Sequence, residues 1–112
     1  MEGRGVARDD TEAVRWYRKA ADQGNSDAQF SLGWMYAMGR GVARDDAGAA
    51  RLYRKAADQG NAKAQRNLGL MYETGSGVVQ SDAEAKRWFQ KAADQGQPEA
   101  MAALRRLLDK VP

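Results

Sequence analysis

Cysteine and histidine are both absent from the 112 residues of this chain. Those two absences remove disulfides, thiol nucleophiles, imidazole general bases and the usual zinc ligands together. The expectation is therefore a protein that is not an enzyme and that has no cofactor and no metal. Proline is nearly missing too, with 2 residues against 12 glycines, and much of the 43% apolar content is alanine. Such a composition suits closely packed helices. No apolar run approaches the roughly 18 residues of a membrane span, and Met1, Glu2, Gly3 and Arg4 hold no apolar signal core. A chain that does not insert into membranes is expected. A cysteine-free protein suits a reducing cytosol and an oxidising periplasm equally, so no compartment follows.

Charge of one sign is also not concentrated anywhere. The net charge is +3, with 15 acids interspersed among 18 bases. This pattern does not point to a nucleic-acid partner. At this length one domain is expected.

What the chain has instead is a repeat. Gly3 recurs as Gly39 and Gly75, Gly5 as Gly41 and Gly77, and Val6 as Val42 and Val78; the offset is 36 residues. Residues 3–38 and 39–74 are identical at 25 of 36 positions. Tyr17 to Gly24 returns as Tyr53 to Gly60 and, nearly intact, as Phe89 to Gly96. A fixed period of this size is the mark of a helical array.

Each unit reads as two helices. Asn25 and Asn61 stand at N-cap positions, Pro98 follows Gln97 as a first helical residue, and Gly39 and Gly75 close the far ends. These A helices are predicted over about 26–38, 62–74 and 98–110. The B helices open at Asp9, Asp45 and Ser81, where Glu12 and Glu84 complete capping boxes. They are predicted over about 9–23, 45–59 and 81–95, ending at Gly24, Gly60 and Gly96. The valine of Gly-x-Gly-Val is expected to plug the apolar layer under the turn. The domain then comprises a half unit (3–24), full units 25–60 and 61–96, and a C-terminal capping helix, 97–112. No A helix precedes the first B helix in this chain, so Val14 and Tyr17 are expected to be partly exposed. That end suggests a fragment of a longer array or a surface for self-association. Arg105 and Arg106 replace the pairs Gly33-Trp34 and Gly69-Leu70, as suits a terminal unit with a polar outer face.

Ala28, Leu32, Gly33 and Tyr36, then Gly39, Gly41, Val42 and Asp45, then Ala49, Leu52, Tyr53, Ala56, Ala57 and Gly60 carry a resemblance to the Sel1-like repeat family, relatives of the tetratricopeptide repeats. It covers essentially the whole chain. Departures are Leu52, where Trp16 and Trp88 stand in the other copies, Ser81 for the usual Asp, and the lost glycine of the last helix. The resemblance implies an all-α fold, a right-handed α-α superhelix (solenoid) of antiparallel helix pairs, about six helices in this chain. It also implies a protein-binding scaffold. Bacterial members include secreted virulence factors, regulators of membrane assemblies and toxin-neutralising immunity proteins; a cysteine-rich branch, some of it linked to β-lactam binding, is cross-linked by disulfides that this chain does not have.

Comparison of the copies separates fold from something else. In the first two A helices, positions 26, 27, 30, 31, 34, 37 and 38 differ, whereas 28, 29, 32, 33, 35 and 36 agree. At about 100° per residue the differing set falls within roughly 140° of arc, without interleaving. Differing B-helix positions 11, 12, 14 and 16 scatter. Alignment with tetratricopeptide repeats through Leu-Gly-x-x-Tyr implies ligand-groove positions at 27, 30, 34, 37 and 38. The candidate partner-binding residues are therefore Asp27, Phe30, Trp34 and Met38 with Lys63, Arg66, Asn67, Leu70, Glu73 and Thr74. Aromatic residues beside an arginine are common interface anchors. The same pattern would arise if Phe30 and Trp34 pack on the neighbouring A helix, or if drift is confined to the solvent face.

Other signals are explained by the fold. Gly3-Arg-Gly5 and Gly75-Ser-Gly77 follow no strand and lead into no Gly-Lys-Ser/Thr, so they read as turns, not phosphate loops. Asp9-Asp10 and Asp45-Asp46 read as helix caps, and Arg15, Arg18 and Lys19 as a solvated face. The functional expectation is a scaffold, such as a bacterial adaptor or regulator, that holds a protein or peptide on its concave A-helix face. Alternatives are an immunity protein, an architectural module that self-associates through the open N-terminal helix, and, by analogy with pentatricopeptide repeats, a single-stranded RNA binder.

Overall fold

The A helices begin on asparagine and end on glycine for reasons visible in their hydrogen bonds. The computed structural model describes residues 2–110, with side chains from residue 9 onward. Among these residues are six helices and no strand: α1 (Glu2–Asp22), α2 (Ser26–Met38), α3 (Asp46–Asp58), α4 (Ala62–Thr74), α5 (Asp82–Asp94) and α6 (Pro98–Lys110). Asn25 and Asn61 accept from the amides of Ala28 and Ala64, each at 2.9 Å. Gly39 and Gly75 adopt left-handed φ angles of 67° and 74° and donate back to Met35 and Met71, which is where a side chain would be strained. At α6 the cap is Gln97, whose Oε1 accepts from Ala100 at 2.7 Å.

The B helices are capped differently from expectation in two places. Asp45 and Ser81 accept from Gly48 and Glu84 as expected. The reciprocal half of the capping box is not formed at Ser81: its amide donates to the Tyr72 carbonyl at 2.9 Å, as Asp45 donates to Tyr36 at 3.0 Å, and Glu84 instead faces Arg87. The starts of α3 and α5 are thus each fastened to the A helix before them. At the N-terminus, where a turn at Gly3-Arg-Gly5 and a cap at Asp9 are expected, α1 is one helix from Glu2 to Asp22. In later units the Gly-x-Gly turn is fixed by bonds such as Arg40 N–H to Met35 O, 3.0 Å. Among the described residues no helix stands before Gly3 to receive them, so the stretch continues as helix and Asp9 and Glu12 lie inside it.

Helices pack against their chain neighbours, most extensively α2 on α3 and α4 on α5, giving a body of 51 × 25 × 24 Å. Glycine provides the seat within each pair. A Cβ on Gly33 would lie 2.9 Å from the Tyr53 ring, and one on Gly69 2.6 Å from Phe89. Alanines 49, 56, 64, 85, 92 and 100 are fully buried, and Val42 and Val78 pack under their turns. Gly41 and Gly77, at φ near +72° and +73°, press onto the Asp10 and Asp46 carbonyls of the preceding B helix, where a Cβ has no room. Val14, expected to be partly exposed, is buried because it faces α2 with Ala28, Leu32 and Met35; Tyr17 is exposed as expected, and Trp16 more so. The outer side of α6 is not wholly polar: Arg105 and Arg106 are exposed, and so are Met101 and Leu108.

Candidate functional site

A groove of about 940 Å³ runs along the face on which the A helices line up. Its walls come from α2 and α4. Residues 30, 34 and 38 occupy one stripe of α2, and 63, 66, 67, 70 and 74 the matching stripe of α4, so the 36-residue stacking brings them side by side. Eight of the ten candidate residues line it: Phe30, Trp34, Met38, Lys63, Arg66, Asn67, Leu70 and Thr74.

The other two lie elsewhere. Asp27 sits at the edge of a smaller depression near the helix starts and accepts from Asn61 Nδ2 at 3.2 Å. Glu73 has its carboxylate turned to α6, where Arg106 meets it with two bonds of 2.6 and 2.8 Å and Lys110 approaches to 3.6 Å. Arg106 holds the Glu73 carboxyl below its usual range. This side chain ties α4 to α6 and is not free for a ligand. The Thr74 hydroxyl, though on the groove, is engaged by the Leu70 carbonyl and Ser76.

The floor is made by a residue that the comparison of copies does not single out. Tyr53 of α3 is buried on Gly33, its ring 5.7 Å from that of Phe30. Burial pushes its phenol above the usual range, opposed by the Asn67 side chain and the Arg66 charge beside it. Tyr17, the same repeat position on α1, also lines the groove but is exposed and rests on no glycine seat among the described residues. Both tyrosines are identical between copies, so a search for variable positions passes over them. The signal that could have found Tyr53 is the pairing of a recurring B-helix aromatic with a recurring A-helix glycine, Tyr53 on Gly33 and Phe89 on Gly69.

The walls combine apolar surface with charge. Trp34 is 38% exposed and Met38 56%, and the Arg40 guanidinium lies over the Trp34 indole at 5.6 Å while bonded to Asp10 at 2.9 Å. Phe30 packs partly into the core, as does Leu70. The stripe is thus neither wholly core nor wholly solvent face. Among the described residues no group of acids or other ligating side chains could hold a metal ion, and no helix is long and apolar enough to cross a membrane.

Comparisons with known proteins agree with this architecture. The Sel1 repeat family model matches residues 1–25, 26–61 and 62–97. Among solved structures, the chain is similar to a Sel1 repeat protein from Oxalobacter formigenes, with 45% identity and a TM-score of 0.81 over 83% of this chain and 70% of that one. It is also similar to a protective antigen present in uropathogenic Escherichia coli strains, which displays the same repeat fold, at 43% identity and a TM-score of 0.76; the match covers 77% of this chain but 18% of the antigen. Cysteine-rich protein B of Helicobacter pylori matches at 28% identity with a TM-score of 0.77, over 81% of this chain and 68% of that one. No curated protein matches.

Proposed function

Because the chain belongs to the Sel1 repeat family, whose non-catalytic helical fold generally serves as a protein–protein interaction scaffold, we propose that it holds a segment of a partner protein in the groove over α2 and α4. The observation that carries this reading is a coincidence of two independent sets. The A-helix positions that vary between otherwise near-identical copies are, for the most part, the residues that line one groove. Its floor, Tyr53 and the two methionines Met35 and Met71, is built from positions that are identical in the first two copies.

Panning a displayed library of random peptides on the chain tests the proposal. Peptides recovered on the intact chain are expected to lose about tenfold or more in affinity for Trp34→Glu, the scale on which central aromatic anchors act. Equal affinity for a variant of unchanged helicity would sink the reading.

Trp16 favours a second reading, self-association through α1. Its counterpart Trp88 is 2% exposed against the preceding unit, whereas Trp16 is 64% exposed. Light scattering over a dilution series distinguishes it: a monomer at every concentration counts against it.

A further inference from the structure

Positions 30, 66 and 102 are the same place in three successive A helices, occupied by Phe, Arg and Ala. An aromatic, a cation and a methyl group all fold there, so packing does not call for the charge of Arg66. Nor does a partner within the chain account for it. Among the described residues Arg66 makes no ion pair, and its Nε is buried with no acceptor. A buried donor left open in this way is costly and is normally satisfied. Lys63, one turn earlier on the same wall, is likewise without a carboxylate partner among the described residues.

The acids near this groove are already engaged. Asp46 faces Arg44 at 3.2 Å, Glu99 accepts from Gln97 at 2.7 Å, and Asp27 is bonded to Asn61. The charged residues lining the groove are Arg44, Lys63 and Arg66 against Asp46 and Glu99, which leaves an excess of positive charge set in apolar surface, with Phe30 and Trp34 on one wall and Leu70 on the other. Tyr53 below carries a phenol, neutral at pH 7 as tyrosines ordinarily are, and adds no negative charge to oppose an anion.

Resting on the reading of this groove as the partner site, we propose that the segment it takes is an acidic peptide in which an aspartate or glutamate lies next to a bulky apolar side chain. Arg66 receives the carboxylate and the Phe30–Trp34–Leu70 surface receives the apolar group. A guanidinium offers several donors in a fixed plane and so can bind a carboxylate through paired hydrogen bonds, while Lys63 contributes charge to the same ligand. The apolar majority of the lining favours a peptide over a nucleic-acid backbone, whose recognition would need cations along its whole length.

The test compares the random-peptide selection on the intact chain with the same selection on Arg66→Gln and on Arg66→Phe, the latter copying the residue already tolerated at position 30. Circular dichroism and melting of both variants should match the parent. Peptides enriched on the parent are expected to carry Asp or Glu beside an apolar residue, to bind Arg66→Gln about tenfold or more weakly, and to lose that preference when Glu is changed to Gln in the peptide. If peptides depend on Trp34 but show neither an acidic bias nor a loss on Arg66→Gln, the groove reading survives and this inference is overturned. If enriched peptides are indifferent to Trp34, or none is enriched, both fall. A uridine 20-mer that binds in an Arg66-dependent manner and displaces the peptides would overturn the inference in favour of RNA.

Discussion

The Gln59 side chain donates to the Gln29 Oε1 at 2.8 Å, and Gln29 in turn donates to the Ala21 carbonyl at 3.3 Å. One buried glutamine thereby links α1, α2 and the end of α3. The arrangement repeats one unit on, where Gln95 donates to Gln65 at 3.0 Å and Gln65 to Ala57 O at 3.1 Å. Gln29 and Gln65 are both buried polar residues, 4% and 5% exposed. Apolar packing alone would let adjacent units slide; these bonds fix the register of each on the next.

Replacing Gln65 by Leu keeps its approximate size but takes one of two hydrogen bonds from both the Ala57 carbonyl and the Gln95 amide. Each keeps one bond to Gly60, so the expected loss is about 0.5–1.5 kcal/mol, the net contribution of a hydrogen bond rather than the cost of an orphaned group. Urea denaturation of Gln65→Leu beside Gln95→Leu and the double variant would check it. The two single losses should sum to more than the double, since both remove the same bond.

The glycine seats give a prediction with two opposing terms. Alanine in place of a mid-helix glycine gains about 1 kcal/mol of helix propensity, whereas pressing a methyl into a filled site costs about 1–3 kcal/mol. At Gly69 the new Cβ would stand 2.6 Å from the Phe89 ring and at Gly33 2.9 Å from Tyr53. Gly69→Ala should therefore lower the melting temperature, and Gly33→Ala should lower it less. Arg105 occupies the same repeat position on α6 and is exposed, so Arg105→Ala should change stability by no more than about 0.5 kcal/mol. A stabilised Gly69→Ala would show that the aromatic is not seated there.

These residues also show how far the sequence could be read. The period, the asparagine and glycine ends of the A helices and the six-helix order follow from the chain because each rests on local chemistry repeated in register. The first helix was not legible in the same way, because the Gly-x-Gly turn is imposed by the helix it caps, and a turn motif read without that helix misplaces the start of α1. Glu84 misled similarly: the amide that it would have capped is taken by Tyr72 from another helix. In the groove, the comparison of the first two copies marks the walls but not Tyr53, which is the same in both, and it marks Glu73, whose engagement by Arg106 depends on how α6 lies against α4. Neither fact is carried by spacing along one helix.

The Glu73–Arg106 pair makes stability depend on pH in a definite direction. Arg106 lowers the folded carboxyl below its unfolded value of 4.5, so the contribution is complete above that pH and disappears as pH falls through the lower folded value. Because Arg106 is about half exposed, the pair should contribute about 1 kcal/mol at most. Glu73→Gln should be less stable than the parent at pH 7 by that amount, and the gap should narrow at pH 3. Denaturant midpoints for the two proteins at both pH values provide the measurement; an unchanged gap would assign the effect to packing rather than charge.

Trp16, Leu52 and Trp88 occupy one repeat position and should differ widely in what they contribute. Trp88 is 2% exposed and packs into the cluster of Tyr53, Leu68 and Met71, with the cations of Arg54, Arg87 and Lys91 between 5.4 and 5.7 Å from its ring. Leu52 is partly buried on the cluster around Leu32. Trp16, 64% exposed, has Lys19 over its ring at 5.2 Å and little else. Trp88→Ala should therefore cost about 3–5 kcal/mol, as truncation of a buried aromatic does, and Leu52→Ala less. Trp16→Ala should fall within about 0.5 kcal/mol of the parent in dilute solution, since it removes an exposed side chain. Concentration decides what Trp16 is for. If melting temperature rises with protein concentration in the parent and not in Trp16→Ala, the exposed indole is covered by a second copy, because association stabilises by mass action; if neither depends on concentration, the indole does not mediate self-association.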